Sequence, residues 1–365
     1  MTKAAELANL IGNINAGGGG VNRNIIINGA MNVAQRGTSS TGIGGSSGYF
    51  TCDRWLIAQS GDGRLTMSQD SSVPTGKGFA NSIKLDCTTA DTSIAASEFL
   101  QIVQKIEGQN LQSIGKGTSD AKPITVSFYV KANATFNFVC ELNDLDNSRH
   151  ISKLFSTTTD WVKHEITFPA DTTGAFDNDN AASLNLTFWL HAGSTYSSGT
   201  LNTASFASRT NANRAAGVSS FYSSTDNEFF ITGVQLEVGQ NPTEFEHEPF
   251  ESTLHKCQRY YYVAMDSANE GDSHGPVGCN YNSSTARIVW FHPQHMRASP
   301  SLTFSGTLAV YSNGQFDDTT TWNLLSSNNK YSQLNNSQIS ATSGDGCFSY
   351  APQANSAKIQ FDSEL

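Results

Sequence analysis

The sequence has few charged residues, since Asp, Glu, Lys and Arg make up only 15% of its 365 residues. The 22 Lys and Arg are outnumbered by 32 Asp and Glu, which gives a formal net charge of −10. Nucleic-acid binding requires clusters of Lys and Arg that neutralise phosphates, and electrostatic adhesion to anionic membranes requires them too. The charge balance therefore argues against both kinds of partner.

Long apolar runs and cysteine motifs are also missing. No segment is apolar enough over sufficient length to span a bilayer, and the N-terminus lacks the pattern of a signal peptide. The six cysteines contain no CxxC pair, which argues against a disulfide scaffold and a cysteine-based metal site. We therefore expect buried free thiols in a protein that is made in a cytoplasm and does not insert into membranes.

Small polar residues and glycine take the place of charge, and the 31 glycines favour many turns. Period-two alternation of apolar and polar residues indicates strands with one buried face. In the first two thirds of the chain, strands are predicted at residues 24–29, 49–55, 124–130, 162–168, 184–190 and 230–238. In the last third, they are predicted at residues 258–265, 286–291, 301–311, 346–350 and 357–361. Many short strands separated by turns are typical of a β-sandwich or jelly roll.

The N-terminal segment has the pattern of a short amphipathic helix that begins after Thr2 and ends at Gly12. One face of this helix is formed by Ala4, Leu7, Ala8 and Ile11. About three turns of helix are marginal alone in water, so a partner surface or further copies of the helix must cover the stripe. Glycines 17–20 then form a tether. The alternative is a disordered tail.

No arrangement of residues indicates catalysis. Glycoside hydrolysis needs two carboxylates that face each other across a sugar. Asp144 with Asp146, and Asp177 with Asp179, instead lie beside Asn, where Asp bonds to its own backbone in turns. The two histidines within residues 292–295 lack a third metal ligand. We expect that the protein is not an enzyme.

Glycan binding needs aromatic rings that stack on sugars and polar groups that bond to hydroxyls. The candidates are aromatic residues outside the periodic core, namely Tyr196, Tyr222, Tyr281, Trp322 and Tyr331. Trp290 and Tyr311 fall in predicted strands and are interpreted as core or subunit-interface residues. The long polar segment 192–226 is either functional or a mobile excursion.

Two separated motifs resemble those of bacteriophage tail fibres and related virion appendages. The first consists of NIIING, VAQRG and YFTCDRW within residues 24–55. The second is GVQLEVGQNPTEFEHEPF at residues 233–250, followed by CQRYYY at residues 257–262. In that family, the second motif closes a β-sandwich similar to a carbohydrate-binding module and opens the distal part of the fibre.

This resemblance implies an all-β homotrimeric fibre of tandem jelly-roll-like sandwiches with a short N-terminal helix. Residues 1–23 would form a virion-docking helix and tether, residues 24–250 the carbohydrate-binding-module-like domain, and residues 251–365 a β-rich tip. The predicted joint between the two domains consists of Pro242, Phe245, Pro249, Phe250 and Arg259. In this joint, Phe245 and Phe250 are expected to hold the connector against the sandwich.

The implied function is structural and adhesive. The chain would be assembled in the host cytoplasm as a virion tail appendage, dock to other tail proteins through its N-terminus, and bind host-surface glycan through its distal domains. The alternatives are a glycan-degrading tailspike and a structural fibre or adaptor without receptor binding. Related sugar-binding jelly rolls often hold a structural calcium ion, but this chain has Gly233 where their last strand commonly has Asp. We expect no cofactor, with structural calcium as the alternative.

Overall fold

The structure is a computed structural model that describes residues 2–7 and 22–365. Nearly all regular secondary structure is β, which confirms the all-β fold class. The chain divides into two compact units, Met1–Thr253 and Leu254–Leu365. The boundary at 250/251 and the roles assigned to each segment stay predictions. Among the described residues, no helix has the length and apolar character needed to cross a bilayer.

The N-terminal unit is a sandwich of two antiparallel sheets. Its first strands are β1 (Ser39–Ile43), β2 (Gly48–Tyr49), β3 (Leu56–Ser60), β4 (Arg64–Asp70), β5 (Ser82–Thr89), β6 (Phe99–Glu107) and β7 (Ile124–Ala132). The remaining strands are β8 (Asn137–Asp144), β9 (Arg149–Ser156), β10 (Val162–Phe168), β11 (Ala182–Ala192), β12 (Ala207–Ser208) and β13 (Glu228–Val238). One sheet has the order β1-β4-β5-β13-β7-β10, and the other has the order β12-β9-β8-β11-β6-β3-β2.

The C-terminal unit is also built from two sheets. Its strands are β14 (Tyr261–Asp266), β15 (Ser273–Asn282), β16 (Thr285–Phe291), β17 (Ser301–Ser305), β18 (Leu308–Ser312), β19 (Gln315–Thr319), β20 (Asn323–Ser327), β21 (Tyr331–Asn336), β22 (Gly346–Ala351) and β23 (Lys358–Asp362). A three-stranded sheet has the order β14-β23-β17, and a seven-stranded sheet has the order β19-β18-β22-β15-β16-β21-β20.

Helices are short and few in the described part of the chain. The α-helical segments are residues 3–7 (α1), Ser194–Ser197 (α2), Phe250–Gln258 (α3) and Ser267–Glu270 (α4). The 3₁₀ turns are Gly108–Asn110, Gln112–Ile114, Asn211–Asn213, Phe221–Ser223 and Gln353–Asn355. In α1, the Ala5 amide donates to the Thr2 hydroxyl over 3.4 Å, as expected of a helix cap.

Alternation along the strands places one face of each sheet in the core. Val126, Phe128 and Val130 of β7 are fully buried in the N-terminal core, and the Phe128 ring lies 4.9 Å from that of Phe188 on β11. The C-terminal unit has a separate core, to which β16 contributes Ile288. The strands predicted at 124–130, 162–168, 184–190 and 230–238 all coincide with observed strands.

The opening motif does not form strands where they were predicted. Residues 26–30 and 51–54 are turns and bends, residues 24 and 25 are not in a strand, and of the segment 49–55 only Tyr49 is in a strand, β2. Asn28 adopts a positive φ of 60°, and its amide nitrogen donates to the carbonyls of Val33 (2.8 Å) and Asp53 (3.0 Å). Local bonds from an Asn side chain compete with strand pairing, which explains why an apolar run here folds as a compact turn.

Three further predictions in the C-terminal third are corrected. Residues 250–258 form α3, so the strand expected from residue 258 begins only at Tyr261. The strand expected at 301–311 is two strands, because Gly306 turns the chain with φ of +80°. All six cysteines are free, but Cys279 is exposed rather than buried.

Candidate functional site

The outer face of the seven-stranded sheet carries a row of aromatic residues. Phe316, Tyr311 and Phe348 lie directly opposite one another on β19, β18 and β22, and Val277 of β15 continues the row. The ring centroids of Tyr311 lie 4.7 Å from those of Phe316 and 4.9 Å from those of Phe348. Neighbouring residues such as Val310 point the other way, into the core, so this row faces outward.

A second row runs beside the first. His274 of β15 lies opposite Tyr350 of β22, with ring centroids 4.9 Å apart. The Tyr350 ring also lies 5.6 Å from that of Phe316, and its hydroxyl donates to Asp272 over 3.1 Å. The two rows form a continuous aromatic surface because paired strands hold alternate side chains on one face.

The same face extends across β16 and β21. Tyr281 is 56% exposed, and the guanidinium carbon of Arg287 lies 3.5 Å from its ring centroid. Phe291 lies opposite Tyr331 with centroids 6.4 Å apart. We call this whole surface the aromatic face. Its members are His274, Val277, Tyr281, Phe291, Tyr311, Phe316, Tyr331, Phe348 and Tyr350.

The aromatic face combines exposed rings with polar side chains. Val277 and Phe291 are 76% and 75% exposed, so most of each apolar side chain is open to solvent. Gln333 and Asn335 of β21 alternate with buried residues and lie opposite Val289 and Arg287. Contiguous exposed apolar surface of this kind marks an interaction site, and amides beside rings are the groups that orient a polar ligand.

The five predicted glycan-binding residues have different locations. Tyr281 and Tyr331 lie on the aromatic face, in β15 and β21. Trp322 is only 5% exposed, and its indole N–H donates to Thr319 over 2.8 Å. Trp322 therefore belongs to the C-terminal core, and its ring is not free to stack on a sugar in this conformation.

The other two candidates lie in the N-terminal unit. Tyr222 is 2% exposed, with its hydroxyl 2.5 Å from the side-chain amide of Gln59. Tyr196 packs its ring 5.2 Å from that of Trp189 and 5.6 Å from that of Phe99. The prediction for Tyr222 is corrected, because its ring is buried against the sheet. Tyr196 is half-buried, and its ring packs on the sheet rather than standing free in the loop.

Sequence reasoning missed most of the aromatic face. Tyr311 and Phe316 flank Asn313-Gly314, a dipeptide typical of a two-residue hairpin turn, and they pair across it. The alternation of Phe348, Ser349 and Tyr350 was a second signal. Neither signal predicts the aromatic face if aromatic residues in strands are interpreted as core residues. Period-two alternation alone does not show which face of a sheet is buried.

Segment 193–226 covers the outer face of the second sheet in the N-terminal unit. The fully buried Glu141 carboxylate accepts two bonds from Arg214 (2.8 and 2.9 Å) and one from the Trp189 indole (2.8 Å). His150 lies 3.2 Å away. Burial alone would raise the pKa of Glu141, but the bonds from His150, Arg214 and Trp189 lower it. We call segment 193–226 the cover. It packs on the sheet and is held there by the bonds between Arg214 and Glu141.

A buried lysine holds another part of this unit together. The Lys116 ammonium lies 2.6 Å from Asp144 and 3.2 Å from Asp171, and it donates to the carbonyls of Thr173 and Gly174. Burial would raise the pKa of Asp171, but its bonds to Arg149, Thr173 and Lys116 lower it. Asp144 is therefore a structural counter-ion.

The remaining turn carboxylates bond to backbone. Asp146 accepts from the Asp177 amide over 2.9 Å, and Asp179 accepts from the Ala181 amide over 2.9 Å.

His292 bonds to the Tyr262 hydroxyl (2.8 Å) through one ring nitrogen and to Ser332 through the other. Both its nitrogens are thus occupied by protein groups.

The two motifs of the resemblance meet in space. The Glu246 carboxylate accepts hydrogen bonds from the backbone amides of Asn22 (2.6 Å), Arg23 (2.7 Å) and Asn24 (2.9 Å). The Asn24 side chain in turn donates to the Val234 carbonyl over 3.1 Å. We call the bonds between Glu246 and residues 22–24 the terminal clasp. It joins the beginning and the end of the sandwich.

The predicted joint residues divide into packed and exposed ones. Phe245 packs against Phe79 with centroids 5.0 Å apart, as expected for the connector. Phe250 is 52% exposed and begins α3, so its predicted packing against the sandwich is wrong. Pro249 accepts the first amide bonds of that helix. Pro242 is half-buried, and Arg259 donates to the His295 carbonyl over 3.3 Å.

The predicted docking stripe is only partly described. Ala4 and Leu7 are exposed in α1, with Leu7 56% exposed. Ala8 and Ile11 lie outside the described residues.

One group of side chains has the spacing of metal ligands. Asp91, Glu98 and His191 are all buried, and one ligand atom from each lies within 4.8 Å of the others.

Gly233 stands where the last strand of related sugar-binding jelly rolls commonly has Asp. Its φ is +63°, and an added Cβ would lie 2.6 Å from the Phe79 side chain. A side chain there would be strained, which accounts for the glycine.

Comparison with family models and with curated proteins gives no match. Similar solved structures include the enzymatically active domain of tailspike protein 4 of bacteriophage CBA120, at 12% identity over 59% of this chain with a TM-score of 0.33. A CBM4 structure matches at 14% identity over 58% of this chain and 97% of its own, with a TM-score of 0.31. The family 11 carbohydrate-binding module from Clostridium thermocellum, in complex with a β-1,3-1,4-mixed-linked tetrasaccharide, matches at 12% identity over 57% of this chain and 99% of its own, with a TM-score of 0.28. This chain spans about a fifth of the tailspike, 21% of its length.

Proposed function

We propose that this protein is an adhesive virion appendage of the bacteriophage tail-fibre class, which binds host-surface glycan through the aromatic face of its C-terminal unit. The observation that carries the proposal is the aromatic face itself. Exposed rings such as Phe316 and Tyr281, 55% and 56% exposed, lie on one sheet, and the amides of Gln333 and Asn335 lie on the same sheet in β21. The protein acts by binding and supplies no catalytic step.

The physical fit to sugars rests on two features. A pyranose presents an apolar C–H face that packs on a flat ring, while its hydroxyls need directional hydrogen bonds. The Tyr311 ring lies between those of Phe316 and Phe348, with centroid separations of 4.7 and 4.9 Å, so the three rings offer adjacent stacking surfaces. Several weak sites on a multimeric appendage would combine into strong attachment.

The tail-fibre part of the proposal is supported by the two motifs, which come together at the terminal clasp. Glu246 of the second motif accepts the amide of Asn24 in the first over 2.9 Å. On this proposal, residues 1–23 dock the chain to other tail proteins after assembly in the host cytoplasm. Deleting residues 1–20 should leave a folded protein that no longer joins virions. Incorporation at the parent level would exclude this docking role.

Glycan binding is tested with the full chain on an array of bacterial surface polysaccharides and in a block of phage adsorption. We expect Phe316→Ala and Tyr281→Ala each to weaken binding at least about tenfold, because truncating a central aromatic contact typically costs more than 1.4 kcal/mol. Leu154→Ala is the matched control, since Leu154 is an equally exposed apolar residue (48%) of the N-terminal unit. Equal binding by all variants, or no binding by the parent, would contradict the proposal. Release of reducing ends from the polysaccharide would favour the tailspike alternative.

The exposed aliphatic and aromatic side chains also favour an alternative role for the same face, as the contact between copies in a homotrimer, where it would be covered and would not bind glycan. Val277 is 76% exposed, and an aliphatic side chain adds little to sugar recognition but much to a subunit interface. Val277→Asp should then lower the mass measured by light scattering from three chains to one. A trimeric parent whose mass is unchanged by Val277→Asp would place the subunit contact elsewhere. Loss of trimer without loss of monomeric glycan binding would separate the two roles.

A further inference from the structure

Three side chains from separate segments of the N-terminal unit converge in its interior. Asp91 follows β5, Glu98 precedes β6, and His191 lies near the end of β11. Their exposed fractions are 7%, 8% and 1%, and one ligand atom from each lies within 4.8 Å of the others. Two carboxylates and an imidazole therefore share one buried site.

Two atoms of this site have no hydrogen-bond partner among the described residues. They are the Oδ2 atom of Asp91 and the Nε2 atom of His191. Leaving a buried polar atom unsatisfied costs about 1–3 kcal/mol, and native structures rarely leave such an atom without a partner such as water or an ion.

Other polar atoms of these side chains already have hydrogen-bond partners, which leaves Oδ2 of Asp91 and Nε2 of His191 available as ligand atoms. The Ser220 hydroxyl lies 2.8 Å from Nδ1 of His191. When Nδ1–H donates to this hydroxyl, Nε2 carries the lone pair that a metal requires, a common arrangement around metal-binding histidines. Asp91 accepts from the Ser93 amide (3.1 Å), and Glu98 accepts from the Ala95 amide (2.7 Å).

We propose that Asp91, Glu98 and His191 bind one divalent metal ion of the zinc class. Two carboxylates match the +2 charge, and one imidazole with two carboxylates is a ligand set that zinc accepts, with a water molecule as the fourth ligand. Calcium is a poorer fit because it prefers six to eight oxygen ligands. The site belongs to the N-terminal unit and the aromatic face to the C-terminal unit, and the site does not depend on the proposed glycan binding.

A metal here would anchor the start of the cover formed by residues 193–226. The Gly193 amide donates to the Glu98 carbonyl (2.8 Å), and the Thr195 amide donates to the Ala96 carbonyl (2.9 Å). Fixing Glu98 and His191 to one ion would therefore fix both ends of this contact. Metal loss should loosen the cover before it affects either sheet.

The test uses the full chain without a histidine tag, stripped with chelator and titrated with ZnCl₂ by calorimetry, with metal content measured by mass spectrometry. We expect one zinc ion per chain and a rise of about 5–10 °C in the Tm of the N-terminal unit at saturating zinc. His191→Ala and the isosteric Asp91→Asn should each weaken zinc binding by about 100-fold or more. His295→Ala, which removes a histidine of the C-terminal unit, is the control and should bind zinc like the parent.

Each outcome decides for or against the site. Stoichiometric binding that both variants remove, with circular dichroism showing that Asp91→Asn is folded, supports it. No zinc uptake at 1 mM added metal would overturn it and leave a proton shared between Asp91 and Glu98 as the means of neutralisation. Binding that His295→Ala removes would show an adventitious surface site. Calcium uptake in place of zinc, lost in Asp91→Asn, would overturn the zinc assignment.

Discussion

Replacing Lys116 by methionine is expected to destabilise the N-terminal unit by about 3–5 kcal/mol, the usual cost of removing one partner from a buried ion pair. Its ammonium lies 2.6 Å from Asp144 and 3.2 Å from Asp171, and its side chain is 1% exposed. Methionine fills a similar volume but removes the positive charge that neutralises the buried carboxylates of Asp144 and Asp171. The measurement is urea unfolding followed by amide hydrogen exchange in β8 and β9, which reports on this unit alone.

Lys163→Met is the matched control for this experiment. Lys163 pairs with Glu165 over 2.8 Å, but the two side chains are 25% and 45% exposed. An exposed pair contributes at most about 1 kcal/mol, so this variant should unfold almost like the parent. If Lys116→Met also unfolds within 1 kcal/mol of the parent, the buried lysine does not neutralise Asp144 and Asp171 in the way described.

Glu141→Gln is the second substitution with a large expected effect, about 3 kcal/mol, because it leaves the Arg214 guanidinium without its buried counter-charge. Arg214 donates to Glu141 over 2.8 and 2.9 Å. The loss should appear first in the cover, where the Ala215 amide donates to the Tyr196 carbonyl over 2.9 Å. Faster hydrogen exchange of Ala215, with β6 and β8 unchanged, is the expected result.

Acid should reproduce this effect. The pKa of Glu141 and that of Asp171 are both lowered in the folded state. A carboxyl with a lowered folded pKa contributes stability above its ordinary value, about 4, and loses that contribution as pH falls through the folded pKa. Stability of the N-terminal unit should therefore decline below about pH 4, and less steeply in Glu141→Gln. An equally steep decline in Glu141→Gln would contradict this contribution of Glu141.

The sequence predicted the fold better than the site. Long alternating segments such as 124–130 have only one way to bury their apolar face, so β7 was found with its boundaries nearly right. Apolar runs that contain Asn, such as residues 24–29, were wrongly predicted to be strands, because side-chain bonds from Asn28 to Val33 and Asp53 replace strand pairing. Local polar chemistry of this kind has no periodic signal.

The candidate site was only partly predictable for a related reason. Alternation shows that Tyr311 and Val310 point in opposite directions, but only the packing of the second sheet decides which of them is buried. Trp322 follows a polar run and gave no sign that its indole would bond to Thr319 inside the core. The ligand atoms of Asp91, Glu98 and His191 converge from positions up to a hundred residues apart, and no spacing in the sequence brings them together.

The terminal clasp has a mechanical consequence. The chain enters the N-terminal sandwich at residues 22–24 and leaves it at Glu246, and the two points are joined by bonds of 2.6 to 2.9 Å. A tensile force applied between residues 22 and 247 therefore acts first on the clasp and on the bond from the Arg23 guanidinium to the Glu244 carbonyl. It reaches the bond between the Ile25 amide and the Leu236 carbonyl of β13 only after these outer bonds are loaded.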